Sequence, residues 1–381
     1  MNKAIGLVGC GNLGYPLAFY LGQLGFSVLY LHDLDKGKVA KLKRALERFN
    51  PALRVVGYLE KNKIDIILLS LGGPETVKFV TDARNYDFFN DRPVFISLGR
   101  PNYDDLTAHA ALHKYLIERD VWLLFGFGVE PGLVEILMHD LASRYDTGTV
   151  TSLSAVCGGV PQYPNPPLNY DLLFGERLPA INRKVLKKID SRLEQCLRFD
   201  IKETHFVEGV GLLDVYHDGL SPYFLRSECI DAIPTVKQQT ARWPGFYDCV
   251  RSLNSLGLLD EQVLPGAHAS SSDLVHEILL RNGRLARGRP DISFVEVNTE
   301  FATGERAALR ILSRFDEQSG ITGMAQLTSF LAAWTTLRIS DSAILHQQGL
   351  TLSHEFYGRD TTRELLGAYK RYVKCSVSAL P

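Results

Sequence analysis

The sequence contains no hydrophobic run long enough to cross a membrane. Its longest apolar stretches, Ile64 to Leu71 and Val121 to Val129, are far shorter than the roughly 18 residues that a membrane span requires. The short apolar run from Ala4 to Gly9 is followed by turn-like glycines rather than by a small-residue cleavage site. We therefore expect a cytoplasmic protein without a membrane partner, in which this run forms the first strand.

Neither charge sign is in excess, and the cysteines form no motif. The chain has 42 Lys and Arg residues against 43 Asp and Glu residues, so its net charge is -1. Because there is no basic run, we expect no nucleic-acid partner. The 6 cysteines are scattered, without a C-x-x-C pair or histidines at zinc-ligand spacing. We therefore expect reduced thiols and no metal site.

What remains is the composition of a globular protein with more than one domain. At 381 residues, with 45% hydrophobic and 22% charged residues, the chain exceeds the length of one ordinary domain, about 150 residues. Strand and helix patterns alternate in the first third. Later strands alternate polar and apolar residues, as in Val295 to Asn298. These patterns predict an α/β first domain and an α+β second domain with a mixed or antiparallel sheet.

A glycine motif lies where the first strand meets the first helix. Gly9, Gly11 and Gly14 stand in G-x-G-x-x-G spacing. The first permits a tight turn, the second admits a pyrophosphate, and the third allows helix and strand to pack closely. We expect a Rossmann dinucleotide site in which Asn12 and Leu13, at the helix N-terminus, also contact the phosphates. The alternative is a glycine-rich turn without a ligand.

An acidic residue lies at the carboxyl end of the second strand. Asp33 follows the strand Ser27 to Leu31 and lies 24 residues after Gly9, close to the position at which an acidic residue is expected in this motif. A carboxylate there accepts hydrogen bonds from ribose hydroxyls and repels a 2′-phosphate, so NAD is expected in preference to NADP. Lys36 and Lys38 are close enough to weaken this preference without reversing it.

Further strand ends are expected to line the same cleft, because loops after parallel strands open at the carboxyl edge of a doubly wound sheet. These strands are Lys63 to Ser70, Pro93 to Ser97 and Val121 to Phe125. The residues expected to contact the cofactor are Leu71, Gly72, Ser97 and Gly99. Each glycine could equally be an ordinary turn residue.

A series of short motifs runs through the rest of the chain. In order they are Glu130 to Gly132, Cys157 to Pro161, Pro166 to Tyr170, Ala241 to Gly245 and Gly320 to Ala325. With the glycine motif, this series resembles the saccharopine dehydrogenase-like family. Gly158 to Pro161 followed by Pro166 to Tyr170 looks most like its lysine 6-dehydrogenase branch.

The resemblance implies a Rossmann domain at 1–128, a substrate-binding and dimerisation domain at 129–320, and a segment at 321–381 that packs back on the Rossmann domain. It also implies a homodimer that oxidises a carbon–nitrogen bond of an amino acid with a pyridine nucleotide. We expect oxidative deamination of lysine or a related diamino acid. The alternatives are a saccharopine or carboxynorspermidine type dehydrogenase acting on a secondary amine, and a non-catalytic nucleotide-binding regulatory protein.

Some positions depart from the family pattern, and they put the substrate in question more than the fold. Phe246 stands where the family often has histidine, and Gly323 stands where it usually has alanine. His354 precedes a glutamate where a proline is common, and Glu130 stands where the saccharopine branch often has aspartate.

Two charged residues are the first candidates for chemistry. Amine oxidation requires a neutral amine, and therefore a group that takes its proton. Glu130 lies in a strand-end loop and could serve as that base or as an ammonium partner; it could also complement the dipole of the helix Leu133 to Leu141. Arg242 is expected to bind a substrate carboxylate through its planar fork, with a structural salt bridge as the alternative.

Three further side chains are candidates with strong structural alternatives. Cys157 could contact the nicotinamide or the substrate, or be a small buried thiol. Tyr170 could supply a hydroxyl to the pocket, or occupy the core. His217 could shuttle protons, although we interpret His217-Asp218-Gly219 as a surface turn.

Overall fold

A computed structural model describes residues 3–102, 105–146, 148–172, 178, 183–263, 266, 268–286, 288–341 and 347–380. The chain divides into two units. The first comprises Met1–Asp140 and Ala325–Val373, and the second Leu141–Met324 and Lys374–Pro381. The segment 321–381, expected to pack on the Rossmann domain, is thus divided between the units. No helix of the described residues is long and apolar enough to cross a membrane.

The first unit contains a 7-stranded sheet in which every pair of neighbouring strands is parallel. In sheet order the strands are β15 (Gly349–Leu352), β6 (Trp122–Phe125), β5 (Val94–Ser97), β4 (Ile66–Leu69), β1 (Ala4–Val8), β2 (Val28–His32) and β3 (Arg54–Val56). The central strands read as continuous apolar runs because they are buried along their length. The helices are α1 (Gly14–Gln23), α2 (Lys36–Phe49), α3 (Gly73–Thr81), α4 (Leu106–Ile117), α5 (Leu133–Ala142), α10 (Gly323–Asp341), α11 (Ser353–Phe356) and α12 (Arg359–Tyr372).

The strand order reverses beside β1. From β1 the chain builds β2 and β3 on one side, and it then crosses to build β4, β5 and β6 on the other. Such a switch point opens a crevice at the carboxyl edge of the strands, where doubly wound folds bind ligands. The predicted Rossmann arrangement is therefore confirmed. The sequence pattern did not predict β15, which the returning segment adds beside β6.

The second unit contains a 9-stranded sheet. Its main path is β10 (Glu203–Val207), β11 (Gly211–His217), β12 (Thr235–Arg242), β7 (Val150–Pro161), β13 (Asp291–Phe301), β14 (Arg306–Arg314) and β16 (Cys375–Leu380), while β8 (Lys184–Ile189) pairs with β12 and with β9 (Arg192–Leu197). The connecting helices are α6 (Pro222–Leu225), α7 (Glu228–Asp231), α8 (Phe246–Ser255) and α9 (Ser271–Arg281). β7 and β12 are parallel, whereas the other pairs are antiparallel. The expected mixed sheet is confirmed.

The two faces of this sheet carry different cores. Val156, Val215 and Phe294 belong to an apolar cluster on one face. Tyr216 belongs to a mainly aromatic cluster on the other, together with Tyr170 from the segment after β7. Because side chains alternate along a strand, neighbouring residues of β11 contribute to different cores.

A buried carboxylate joins several strands of the second unit. Asp218, directly after β11, is 3% exposed. It pairs with Arg183 and with Arg198, the latter at 2.5 Å, and it accepts the hydroxyl of Thr240 at 2.5 Å. The surface turn interpreted at His217-Asp218-Gly219 is therefore wrong, because His217 ends β11 and both side chains are buried.

Replacing Asp218 with alanine should destabilise the protein strongly. It would remove the carboxylate that pairs with the buried Arg198, and breaking a buried ion pair costs about 3–5 kcal/mol. Urea unfolding measures the change. The control is Asp87→Ala, which breaks the exposed pair with Lys61 and should change the unfolding free energy by less than about 1 kcal/mol. Equal losses in the two variants would contradict this role for Asp218.

Candidate active site

The glycine loop after β1 packs closely against the backbone of Ser70 at Gly9 and leaves open space at Gly11. Gly9 has φ +94°, and a Cβ there would collide with the carbonyl oxygen of Ser70. Its N–H donates to the carbonyl of His32 at 2.9 Å, which holds the turn against β2. Gly11 faces open space, with nothing within 4 Å of the position of a Cβ. Since no side chain caps the helix that follows Leu13, its first N–H groups remain suited to phosphate oxygens.

Asp33 is held beside this loop by backbone donors. Its Oδ2 atom accepts the N–H of Cys10 at 2.7 Å, and its Oδ1 atom accepts the N–H of Asp35 at 2.9 Å. Each carboxylate oxygen can accept a further hydrogen bond. The ammonium of Lys36 donates to the backbone carbonyl of Asp33 at 3.3 Å. Burial and the charge of Asp33 raise the pKa of the Cys10 thiol to about 12, so this thiol stays protonated.

The loops after β4 and β5 pack tightly on each other. Ser97 is 0% exposed; its hydroxyl lies 2.8 Å from that of Thr76 and accepts the N–H of Gly99 at 3.1 Å. A Cβ at Gly99 would lie 2.8 Å from the carbonyl oxygen of Leu71, and the carbonyl of Gly72 accepts the N–H of Thr76 at 2.9 Å. These positions therefore have packing roles of their own, and their contact with a cofactor stays a prediction.

Glu130 lies in the loop after β6 and forms an ion pair with Arg100 from the loop after β5. Glu135, in the first turn of α5, accepts the N–H of Gly132 at 2.7 Å through its Oε2 atom, and the role of Glu130 towards the helix dipole stays a prediction. Glu135 is 2% exposed. The sequence analysis missed Arg100 and Glu135; the position of Arg100 in a strand-end loop was a usable signal, whereas the burial of Glu135 had none.

Arg242 is a buried cation at the end of β12. It is 4% exposed, and its Nη1 atom donates to the carbonyl of Ala241 at 2.7 Å. Its Cζ atom lies 5.2 Å from the ring centre of Tyr170 and 6.0 Å from that of Phe246. Its Nε atom has no acceptor in the part of the chain that the structure describes. Among the described residues no carboxylate forms an ion pair with it. Its cross-strand neighbour Asp214 pairs with a different cation, because the Oδ2 atom of Asp214 lies 3.9 Å from the Nζ atom of Lys202.

The strand register places two more polar groups on the same face. Tyr216 pairs with Thr240 across β11 and β12, and Thr240 pairs with Cys157 across β12 and β7. Tyr216 is 0% exposed, its hydroxyl has no partner among the described residues, and burial raises its pKa. The Cys157 sulfur accepts the side-chain amide of Gln238 at 3.2 Å. Tyr216 was missed because nothing in the local sequence indicates which face of β11 its side chain lies on.

His217 does not join this group. It pairs with Gln239 in the register, so its side chain lies on the opposite face from that of Tyr216. It is 4% exposed, and burial, with a smaller effect of Lys187, lowers its pKa. The structure thus brings together Arg242, Tyr170 and, on the same face, Cys157, but not His217.

Two departures from the family pattern have local explanations. Phe246 is 0% exposed and packs 4.8 Å from the ring of Tyr170, so an aromatic side chain completes the core there. A Cβ at Gly323 would lie 2.7 Å from the carbonyl oxygen of Ser313, which excludes alanine unless the backbone shifts.

The model of the saccharopine dehydrogenase C-terminal domain matches residues 128–373. The chain belongs to the saccharopine dehydrogenase family. The apo saccharopine dehydrogenase (L-Glu forming) from Saccharomyces cerevisiae is similar over 100% of both chains, at 14% identity and a TM-score of 0.75. A mutant meso-dapdh with DAP from Clostridium tetani E88 is similar over 97% of this chain and 99% of its own, at 10% identity and a TM-score of 0.42. Comparison with curated proteins finds no match.

In this member of the saccharopine dehydrogenase family, Gly9→Ala should destabilise the first unit more than Gly25→Ala. Gly25 has φ +91° with open space around it, so alanine there costs only the left-handed strain, about 1–2 kcal/mol. Gly9→Ala adds the collision with Ser70, roughly 1–3 kcal/mol more. Urea unfolding measures the free energy of unfolding of both variants, and the difference between them is the cost of the collision with Ser70. Equal losses would show that the backbone conformation alone requires glycine.

Proposed function

We propose that this protein is an NAD-dependent dehydrogenase that oxidises a primary amine of lysine or of a related diamino acid. The observation that carries the proposal is the buried guanidinium of Arg242 without a carboxylate partner among the described residues. Membership of the saccharopine dehydrogenase family supports a dehydrogenase acting on an amino-acid-related substrate. That the substrate is lysine or a related diamino acid, and that the cofactor is NAD, is our proposal.

The surroundings of Arg242 favour a carboxylate as its partner. A buried charge that forms no ion pair carries a desolvation cost of several kcal/mol, and the charge of Asp218 is only a minor influence on Arg242, so a ligand anion would offset that cost. The nearby Tyr216 hydroxyl is an unused donor, and the ring of Tyr170 supports the guanidinium plane. A guanidinium with a neutral phenol binds one carboxylate well, as an α-amino acid would present it.

The residues of the glycine loop fit a dinucleotide. The open space at Gly11 and the uncapped start of α1 suit a pyrophosphate. The fixed Asp33 carboxylate suits ribose hydroxyls and disfavours a 2′-phosphate, so we assign NAD. When bound, the nicotinamide supplies a hydride acceptor for the carbon that bears the nitrogen.

Glu130 is assigned to the substrate amine. Its carboxylate, oriented by Arg100, takes one proton from the ammonium and leaves the neutral amine that oxidation requires. Loss of hydride from the carbon then gives an iminium ion. Addition of water releases the aldehyde and ammonium, and the remaining α-amino group of a diamino-acid product of suitable length can then add to the aldehyde carbon and form a cyclic imine with loss of water.

The first test is an initial-rate assay with NAD and NADP run separately. Lysine, ornithine, saccharopine and carboxynorspermidine form the panel. We expect turnover of lysine or ornithine with NAD. Turnover of a secondary amine alone would replace the substrate while keeping the reaction type. Binding of reduced cofactor without turnover of any amine would contradict the enzymatic proposal and favour a nucleotide-binding regulatory protein.

Arg242→Ala should raise KM for lysine roughly 100-fold, because a charge-assisted bidentate contact contributes about 3 kcal/mol. Pentane-1,5-diamine, which lacks the carboxylate, should react equally with the variant and the wild type. Arg251→Ala is the matched control, since that exposed arginine contacts Tyr247 of the same aromatic cluster. A variant that still prefers lysine to the diamine would contradict the assignment of Arg242.

Asp33→Asn should weaken the preference for NADH over NADPH at least about tenfold, which corresponds to about 1.4 kcal/mol. The amide oxygen can still accept the N–H of Cys10, whereas the amide nitrogen cannot accept the N–H of Asp35, so the variant removes the charge together with one hydrogen bond of the loop. Fluorescence titration with each reduced cofactor measures the ratio of the two Kd values. Asp35→Ser, which removes a neighbouring charge but keeps the cap of α2, should leave that ratio unchanged. An unchanged ratio in Asp33→Asn would remove the argument for NAD.

A further inference from the structure

Two buried residues of opposite charge are neighbours in the sheet of the second unit. Asp214 of β11 lies directly opposite Arg242 of β12 in the strand register, so both side chains are on the same face of the sheet. Asp214 is 5% exposed and Arg242 is 4% exposed. Cross-strand neighbours have Cβ atoms only about 5 Å apart, yet no ion pair joins these two within the described part of the chain. Each charge therefore keeps capacity for another partner.

Polar atoms of this pair, and of a tyrosine beside it, are buried without a hydrogen-bond partner among the described residues. They are the Oδ2 atom of Asp214, the Nε atom of Arg242 and the hydroxyl of Tyr216. Tyr216 follows Asp214 at the spacing that puts both side chains on the same face of β11, and it is 0% exposed. Buried polar atoms are nearly always partnered, so this group calls for an explanation.

The ammonium of Lys202 compensates Asp214 only in part. Its Nζ atom lies 3.9 Å from the Oδ2 atom of Asp214, which is beyond hydrogen-bond range, and 2.7 Å from the Oδ2 atom of Asp248. The side chains of Lys202 and Asp248 are 34% and 62% exposed, so their ion pair lies towards the solvent. Because Lys202 can remain with Asp248, a ligand ammonium can take the free oxygen of Asp214.

We propose that Asp214 binds the α-ammonium group of the substrate while Arg242 binds its carboxylate, so that these two strands form a receptor for the head group of an α-amino acid. Such a head group carries both charges on one carbon atom, and neighbouring side chains of opposite charge can hold them together. The hydroxyl of Tyr216 can donate to the same carboxylate. The inference rests on the proposed function, because Arg242 is assigned there to the substrate carboxylate.

This arrangement decides which amine of a diamino acid reacts. Oxidation requires a neutral amine, whereas a carboxylate partner favours the charged form of an amine. The α-amine bound to Asp214 is therefore kept as an ammonium ion. The amine at the far end of the substrate side chain is the one that becomes neutral, and the carbon that bears it loses the hydride to the nicotinamide.

The receptor can be tested without turnover, by calorimetry of the full chain with NADH added. Norleucine has the α-amino acid head group but no distal amine, and hexanoate lacks the α-ammonium as well. The wild type should bind norleucine at least about tenfold more tightly than hexanoate, because a charge-assisted hydrogen bond is added. Asp214→Asn, which keeps the shape of the side chain, should abolish this preference without weakening the binding of hexanoate. A wild type without the preference, or an Asp214→Asn variant that retains it, would overturn the proposal.

Glu203→Gln is the matched control. Glu203 of β10 pairs with Val215 in the register, so its side chain lies on the opposite face from that of Asp214. The variant removes the same charge and should keep the preference for norleucine, and losing the preference there would overturn the specific role of Asp214. Urea unfolding checks that both variants fold. If Asp214→Asn does not fold, the wild-type comparison of norleucine with hexanoate still decides the proposal.

The origin of the released nitrogen separates this inference from the proposed function. Lysine labelled with nitrogen-15 at the α-amine should release unlabelled ammonium, and labelled ammonium would overturn the inference. Turnover of lysine by a wild type that binds norleucine and hexanoate equally would contradict the role of Asp214 alone. A preference for norleucine that depends on Asp214, without turnover of any amine, would support the receptor and contradict the proposed function alone.

Discussion

A charge that is removed from water must be balanced, and the second unit balances its buried charges unequally. Arg183 and Arg198 share the carboxylate of Asp218, so that cluster supports the packing of its strands. Arg242, which is also buried, has aromatic rings and an unpartnered phenol around it and forms no ion pair with a carboxylate among the described residues. Since such a charge is costly, Arg242 is the position in this unit at which we propose that an anionic ligand group binds.

The first unit meets the same constraint in another way. Arg100 forms an ion pair with Glu130, and Asp33 is held by backbone donors. Glu135 is buried, and burial, followed by the charge of Glu130, raises its pKa to about 7.

Much of the fold could be predicted, because hydrophobic period and glycine spacing are local properties of a chain. The strand–helix alternation up to β6 and the mixed sheet after it follow from them. The candidate site was less predictable. Tyr216 and His217 are adjacent in sequence but lie on opposite faces of β11, and only the pairing with Thr240 and Gln239 decides which faces Arg242. Similarly, nothing local revealed that the hydroxyl of Ser97 is used inside the protein.

The sequence by itself determined the Rossmann unit, its glycine loop with Asp33, the mixed second sheet and the family resemblance, since each depends on the order and spacing of residue types. The tertiary structure alone decided which charges are compensated. Burial and pairing are set by strands distant in sequence: Asp218 became a structural counter-ion, Glu135 a buried acid, and Arg242 a cation without a carboxylate partner in the described part of the chain. Long-range strand register, which no single segment encodes, is the physical reason for that difference.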